Sequence, residues 1–149
     1  MCSLKMMPIN EEIKARLKDK IIDWYRHSPR RIYFSIAPKD IKEAVTFLFK
    51  ELKLRFVIAT GQDTPGGLEI LYHFSFDKTG EMISVRVVLE DKKKPEIDSI
   101  ANIFPGAEWI EREMWELLGI NFKGHPNLKH LLLIDEWPQG DYPLRHDKS

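Results

Sequence analysis

Residues 68–89, LEILYHFSFDKTGEMISVRVVL, carry the clearest structural signal in the chain. Apolar side chains occupy every second position from 68 to 76, and they do so again from 83 to 89. A period of two is typical of strands that bury one face. Between the two runs lies Asp77-Lys78-Thr79-Gly80, which consists of turn-forming residues. The stretch is therefore predicted to be a tight hairpin of two strands.

On both sides of the hairpin, apolar spacing and capping residues predict further elements. Helices are predicted at roughly 10–27, from Pro38 onward, near 96–103, and over 107–118 up to Gly119. Strands are predicted at 31–36 and 54–60, and the glycine-rich stretch 61–67 is expected to be a loop. This order predicts an α+β fold, a two-layer sandwich in which a four-stranded mixed sheet carries helices on one face.

Composition narrows the class of protein. The chain has 149 residues, 43% of them hydrophobic, with 23 Lys+Arg against 23 Asp+Glu, which describes one soluble domain without a long-range positive field. Binding to nucleic acid through bulk charge is therefore disfavoured. The single cysteine, Cys2, excludes disulfide scaffolds and cysteine-ligated clusters, and favours a reducing compartment. Neither a membrane span nor a signal peptide is expected, because the apolar runs are too short.

The last thirty residues differ from the rest of the chain. They show little periodicity and contain prolines at 126, 138 and 143, yet they carry many large apolar side chains, which disordered tails lack. The chain is therefore divided into an α+β domain, 1–119, and an extended C-terminal tail, 120–149. An apolar tail without an obvious packing site predicts a partner surface.

The helix over 107–118 carries the most suggestive side chains. Ile110, Met114, Leu117 and Leu118 form one narrow stripe that is predicted to face the core. Glutamates at 108, 111, 113 and 116 are expected to make the remaining surface acidic, with Arg112 nearly opposite the stripe. Trp109 and Trp115 flank it, either as interface anchors or packed under the tail of the same chain.

Catalytic and metal-binding patterns are not found. Glu113 and Glu116 share a helix face, but nothing in the sequence perturbs their pKa values as acid–base catalysis requires. His125, His130 and His146 lack a zinc-type spacing. No catalytic, cofactor-binding or metal-binding residue is therefore predicted. Two alternatives stay open at this point: a small stand-alone enzyme with the histidine-containing tail as a lid, and an RNA-binding α+β domain.

The segment EREMWELLGINFKGHPNL, residues 111–128, resembles the signature of the 30 kDa subunit, also called the C-type subunit, of respiratory NADH:quinone oxidoreductase (complex I). Trp137 and the segment Pro143-Leu144-Arg145-x-Asp147 resemble its closing elements. The sequence departs from the family pattern at Glu116, where aspartate is usual, at Lys129-His130, where two arginines are usual, and at His146, often lysine. Energy-converting, membrane-bound nickel–iron hydrogenases share the same module.

This resemblance implies a non-catalytic scaffold subunit of the peripheral arm, at the cytoplasmic face of the cell membrane, which touches the membrane only through the complex. It implies docking on the large, hydrogenase-like (49 kDa-type) subunit, near the small iron–sulfur subunit. Iron–sulfur clusters and nickel–iron, flavin or quinone are expected only in partner subunits. The predicted partner-binding residues are Glu111, Arg112, Glu113, Trp115, Glu116, Phe122, His125, Pro126, Leu128, Trp137, Pro143, Leu144 and Arg145.

Overall fold

A computed structural model describes residues 8–126, 142, 144 and 145. Helices in this part of the chain are α1 (Ile9–Leu17), α2 (Ile41–Thr46) and α3 (Ala107–Leu118). A 3-10 turn, Pro38–Asp40, precedes α2, and a π-helical turn, Phe47–Glu51, follows it. The strands are β1 (Ile21–Ser28), β2 (Arg31–Ile36), β3 (Arg55–Thr64), β4 (Gly67–Phe76), β5 (Glu81–Leu89), β6 (Glu96–Asp98) and β7 (Asn121–Lys123).

The main sheet has five strands in the order β1-β2-β5-β4-β3. Strands β2 and β5 run parallel and the other neighbours run antiparallel, so the sheet is mixed. Strands β6 and β7 form a separate parallel pair. The α+β class, the mixed sheet and the 68–89 hairpin are confirmed, whereas the main sheet has five strands where four were predicted.

The extra strand comes from the segment predicted as the end of the first helix. Helix α1 ends at Leu17, and β1 begins four residues later and pairs with β2. Apolar residues at helical spacing suggested one continuous helix through Trp24, but Trp24 lies on β1 and stacks on Phe34 of β2, with ring centroids 5.6 Å apart. The aromatic and β-branched side chains of this segment favour a strand, and cross-strand packing decided the outcome.

Two further predictions were wrong for similar reasons. Strand β3 continues through Gly61 to Thr64, so only a two-residue turn remains of the predicted loop. A Cβ at Gly61 would lie 2.8 Å from Cδ1 of Leu118 and 3.0 Å from Sδ of Met114, so this glycine lets α3 approach the strand. The predicted helix near 96–103 is instead β6 followed by turns, because β7 pairs with it.

The core lies between the inner face of the sheet and the helices. Inward-facing side chains of β2, β4 and β5 are fully or almost fully buried, among them Phe34, Tyr72, Phe74 and Val85. Ile13 of α1 and the buried apolar residues of α2 and α3 belong to the same apolar cluster. Burial of each large apolar side chain contributes about 1.5–3 kcal/mol. This cluster fixes α3 against β3, which positions the site described next.

Candidate functional site

Helix α3 has the bounds that the sequence predicts. It ends at Gly119, whose φ of +80° is left-handed and whose N–H donates to the Trp115 carbonyl at 3.0 Å. A Cβ at Gly119 would lie 2.6 Å from Cε2 of Tyr142, so a side chain here would meet both an unfavourable backbone conformation and a packed ring. Gly119 therefore lets Tyr142 lie against the end of the helix.

The predicted acidic surface of α3 is only partly correct. Glu113 is exposed, but Glu111 is 1% exposed and Glu116 is 2% exposed. Arg112, predicted to point away from the core, is 5% exposed. The reason for Glu111 is that the segment after β6 lies against α3 and bonds to its carboxylate. This side of the helix thus faces the chain's own interior.

Glu111 organises the turn that follows β6. The Ser99 hydroxyl donates to its Oε1 at 2.5 Å, and the Ile100 backbone N–H donates to its Oε2 at 2.9 Å. Burial raises the pKa of Glu111 to about 7, against the lowering effect of the Ile100 and Ser99 hydrogen bonds. The Ser99 oxygen in turn accepts the Ala101 N–H at 3.1 Å. The carboxyl therefore fixes local backbone geometry.

His125 joins the segment after β7 to the same helix. Its side chain is fully buried, and its Nε2 lies 3.0 Å from the Glu108 backbone oxygen, to which it donates when that nitrogen carries the proton. The same nitrogen lies 3.9 Å from Oε1 of Glu111. This histidine is thus held inside the fold, whereas His130 and His146, which the alternative of a stand-alone enzyme would place in a lid, lie outside the described residues.

Three described residues of the tail lie on the C-terminal end of α3. The Leu144 N–H donates to the Leu117 carbonyl at 3.0 Å. The Arg145 guanidinium donates to the Leu118 carbonyl at 2.8 Å and to the Lys92 carbonyl at 2.6 Å. Carbonyls at the end of a helix lack intrahelical donors and carry partial negative charge, which a guanidinium satisfies. Arg145 therefore anchors this part of the tail to its own domain.

The remaining predicted partner-binding residues divide by exposure. Phe122 is 1% exposed and belongs to the core, and Trp115 is half-buried and packs against it. Pro126 is exposed, and so is Leu144. Leu128, Trp137 and Pro143 lie outside the described residues, as does most of the predicted 120–149 tail, while 121–123 form β7. Contact of any of these residues with a partner stays a prediction.

Trp109 is the large side chain that α3 presents outward. It is 60% exposed, and the Arg112 guanidinium lies 5.2 Å from the centroid of its ring. A cation over an indole face is favourable and restrains the ring. An exposed tryptophan held in one orientation is suited to anchor an interface, because its burial gains apolar area with little loss of side-chain freedom.

Several residues that hold this site together could not be identified from the sequence. Ser99 and Tyr142 have no distinguishing local pattern. Asp63, placed in a predicted loop, has a fully buried side chain whose Oδ1 lies 2.5 Å from Nζ of Lys92. This ion pair fixes Lys92, whose carbonyl accepts Arg145. These contacts join residues distant in sequence, so no motif could have identified them.

The polar side chains around α3 hold neighbouring segments of the chain in position, and their polar atoms are engaged in these contacts. Among residues 8–126, 142, 144 and 145, no three His, Cys, Asp or Glu side chains are placed to hold a metal ion. Glu111, with a pKa of about 7, could exchange a proton at neutral pH, but it is enclosed by its own chain. Within the same residues, no helix has the length and apolar character needed to cross a membrane.

Comparison with known proteins identifies relatives along most of the chain. The chain is 32% identical to the C-type subunit of the F420H2 dehydrogenase of Methanosarcina mazei over 142 residues, 93% of this chain and 89% of that protein. It is 33% identical to the C-type subunit of the NADH-quinone oxidoreductase of Chloroherpeton thalassium, and the match covers 57% of that protein. A 37% identical match to the fused C/D-type NADH-quinone oxidoreductase protein of Bacteroides thetaiotaomicron covers 62% of this chain but only 18% of that protein.

Two solved structures share the fold. A chain of the membrane-bound sulfane sulfur reductase, an archaeal respiratory membrane complex, matches with a TM-score of 0.77 and 23% identity, over 94% of this chain and 85% of that one. A trypsin-resistant fragment of Nqo5 matches with a TM-score of 0.66 and 22% identity, over 80% of this chain and 96% of the fragment. At this level of identity, the two structures support the fold.

The family assignment rests on a longer match than the motifs alone. Residues 34–149 match the model of the family described as the 30 kDa subunit of the respiratory-chain NADH dehydrogenase. The resemblance noted from residues 111–128 and from the tail motifs is confirmed. This chain therefore belongs to the family of the 30 kDa subunit of the respiratory-chain NADH dehydrogenase.

Proposed function

We propose that this chain is a non-catalytic subunit of a membrane-associated respiratory oxidoreductase complex, in which it holds other subunits in place. The observation that carries this proposal is how the polar side chains in and beside α3 are used. Glu111 of α3 bonds to the Ser99 hydroxyl and the Ile100 N–H, and Arg145 beside the helix bonds to two backbone carbonyls, so these charged groups hold other parts of the chain in position. A rigid, internally bonded module is suited to present a surface to a partner.

The relatives support a subunit role. The Methanosarcina protein, which aligns over most of both chains, is the C-type subunit of a dehydrogenase. The Bacteroides protein is of the fused C/D type, in which a C-type segment is joined to a further subunit. Subunits that occur in one polypeptide are kept close together, so we propose the D-type subunit, the large 49 kDa-type one, as the principal partner. The small iron–sulfur subunit is the proposed second neighbour.

The proposed contact surface consists of the exposed side chains around α3. Trp109 and Glu113 of α3 are exposed, and so are Pro126 after β7 and Leu144 beside the end of the helix. Glu111, Arg112 and Glu116 are buried, so their proposed part is to shape this surface. Tryptophan is frequent among residues whose truncation weakens binding most, so Trp109 is the proposed anchor.

The chain is proposed to bind no cofactor itself, with iron–sulfur clusters and nickel–iron, flavin or quinone held by partner subunits. It would lie at the cytoplasmic face of the membrane, attached through the complex. The electron donor would follow from the host complex: relatives include NADH-quinone oxidoreductases and an F420H2 dehydrogenase.

Purification from native membranes tests this proposal. The tagged chain would be isolated in mild detergent, and its co-purifying proteins quantified by mass spectrometry. We expect a D-type subunit and a small iron–sulfur subunit in equal amount, and weaker recovery of both with Trp109→Ala than with Glu12→Ala on α1. A chain recovered alone with turnover on a small substrate would support the stand-alone enzyme. Salt-sensitive retention of RNA would support the RNA-binding alternative.

A further inference from the structure

The sheet has a second face, opposite the core, that the proposed function does not use. One row of side chains crosses all five strands on this face: Tyr25, Tyr33, Ser84, His73 and Ile58, each paired in register with the next. Because alternate residues of a strand point to opposite sides, these five lie on the side away from Phe34, Tyr72 and Val85. None of the five belongs to the apolar core cluster.

The two ends of this row are apolar and accessible, whereas Ser84 at its centre is only 3% exposed. Tyr25 is 57% exposed and Ile58 is 45% exposed. Beside Ile58, a bulge in β3 places Val57 outward, 40% exposed. A cavity of about 280 Å³ opens at this point, lined by Tyr33, Val57, Ile58 and Met82 among others. Tyrosine and methionine are frequent at the centres of protein interfaces, and a cavity of this size accepts one large side chain.

The centre of the row carries no net charge at neutral pH. Nδ1 of His73 lies 2.7 Å from the Ser84 hydroxyl, and burial lowers the pKa of His73 below its usual value. A neutral imidazole that is already hydrogen-bonded to a neighbouring strand does not attract a phosphate backbone. This favours a protein over a nucleic acid as the occupant of the face.

Positive charge lies at the edge of the row. Arg31 and Arg86 occupy the rows on either side of Tyr33. Arg86 forms an ion pair with Glu69, whereas Arg31 is exposed and, among the described residues, makes no ion pair. Arg31 also lines the cavity. A partner side chain that enters the cavity would therefore have a guanidinium beside it, which a carboxylate complements.

The edges of the sheet are poorly suited to pair with another strand. Strand β1 has register shifts on both sides of its central residues, and β3 has one between Phe56 and Ile58. Such bulges interrupt the regular row of donors and acceptors that an added strand needs. A partner on this side of the domain would therefore dock on the face of the sheet.

We propose that the row from Tyr25 to Ile58 is a second docking surface, whose occupant is a segment of a neighbouring subunit that inserts an apolar side chain between Tyr33 and Ile58 and places a carboxylate against Arg31. This proposal rests on the proposed function, because the occupant belongs to the same complex. The chain would then contact neighbours on two opposite sides, through α3 and through the open face of the sheet.

Photo-cross-linking within the purified complex tests this surface. A photoreactive phenylalanine would replace Tyr33 in one variant and Lys42, on the exposed side of α2, in the control. We expect the probe at Tyr33 to label one other subunit of the complex, in a segment with an apolar residue next to Asp or Glu. The probe at Lys42 should not label this segment. Arg31→Glu should lower recovery of the labelled subunit about tenfold, while Lys42→Glu leaves it unchanged.

The outcomes separate this proposal from the proposed function. If the complex co-purifies but the probe at Tyr33 labels no other subunit, or Arg31→Glu leaves recovery unchanged, the docking surface is wrong and the subunit role stands. If neither variant nor the wild-type chain co-purifies with respiratory subunits, both are wrong. Salt-sensitive cross-linking of the Tyr33 probe to RNA would also overturn the docking surface, in favour of nucleic-acid binding.

Discussion

The sheet core and the α3 module are both buried, but they are held together by different forces. The inner face of the sheet is apolar, with Phe34, Phe74 and Val85 at most 1% exposed. Around α3, burial includes Glu111, Arg112 and Glu116. Apolar burial is non-directional and tolerates small shifts, whereas a buried carboxylate is stable only when its donors are correctly placed.

This difference indicates that the apolar core provides most of the stability of the fold, whereas the polar contacts around α3 fix the positions of the segments that they join. Buried polar groups contribute little net stability compared with apolar groups, and they cost much when one partner is lost. Their presence in α3 therefore points to a need for one definite arrangement of the segments that follow β6 and β7. A subunit that fixes the relative position of its neighbours has this need.

Substitutions in the apolar region should lower the stability of the chain most. Phe74 is fully buried and packs against Phe56 and Phe104, with centroids 5.5 and 6.4 Å away. Phe74→Ala should lower the free energy of unfolding by about 3–5 kcal/mol, measured by urea titration of the purified chain. Tyr25→Ala, on the opposite face of the sheet, is the control and should change it by less than about 0.5 kcal/mol. Equal losses would show that the two faces are not distinct.

A smaller loss is expected from the polar region. Glu111→Ala leaves the Ser99 hydroxyl and the Ile100 N–H without their acceptor inside the protein. Such unsatisfied groups cost about 1–3 kcal/mol each, partly offset because a carboxyl no longer has to be buried, so a net loss of about 2 kcal/mol is expected. Glu113→Ala, on the exposed side of the same helix, is the matched control. If both variants unfold alike, Glu111 does not organise the turn.

The two regions should also respond differently to pH. Burial raises the pKa of Glu111 from 4.5 to about 7, so the folded chain binds more protons than the unfolded chain between these values. The contribution of Glu111 to stability is therefore complete below about pH 4.5, falls as the pH rises to about 7, and is constant above. Urea titrations of wild type and Glu111→Gln at pH 5 and pH 8 should show the larger fall in the wild type. An equal fall would place the pKa near its ordinary value.

The smallest effect is expected where the two regions meet. Tyr72 is fully buried on β4, and its hydroxyl makes no hydrogen bond among the described residues. Burial and the nearby Glu111 carboxylate raise its pKa well above the usual value. Tyr72→Phe should change the free energy of unfolding by less than about 0.5 kcal/mol, or raise it, because an unpaired hydroxyl is costly to bury. A loss above about 1 kcal/mol would reveal a bonded hydroxyl.

Local patterns predicted the elements whose burial follows from their own sequence. The 68–89 hairpin and α3 both have a clear period, and Gly119 ends α3 as its residue type suggests. The segment around Trp24 was assigned wrongly because residues 13, 17, 21 and 24 have helical spacing, although Trp24 is held by Phe34 of another strand. Periodicity cannot identify a packing partner that lies elsewhere in the chain.

The candidate site was harder to predict than the fold. The motif around residues 111–128 located it, but the apolar stripe of α3 placed Glu111 on the surface. The burial of Glu111 depends on Ser99 and Ile100, which precede α3 in the sequence, and on His125, which follows it. An apolar stripe identifies the one face of a helix that packs on a sheet. Because α3 also packs against the turn after β6, its second buried face could not be predicted in this way.

We proposed that this chain positions neighbouring subunits without taking part in the reaction, and Glu111→Ala within the native complex is the sharpest test of this proposal. The measurement is electron-transfer turnover divided by the amount of assembled complex, with assembly quantified by mass spectrometry. We predict less assembled complex but wild-type turnover for each complex that forms. Full assembly with turnover lost by tenfold or more would contradict the proposal, because Glu111 would then take part in the reaction.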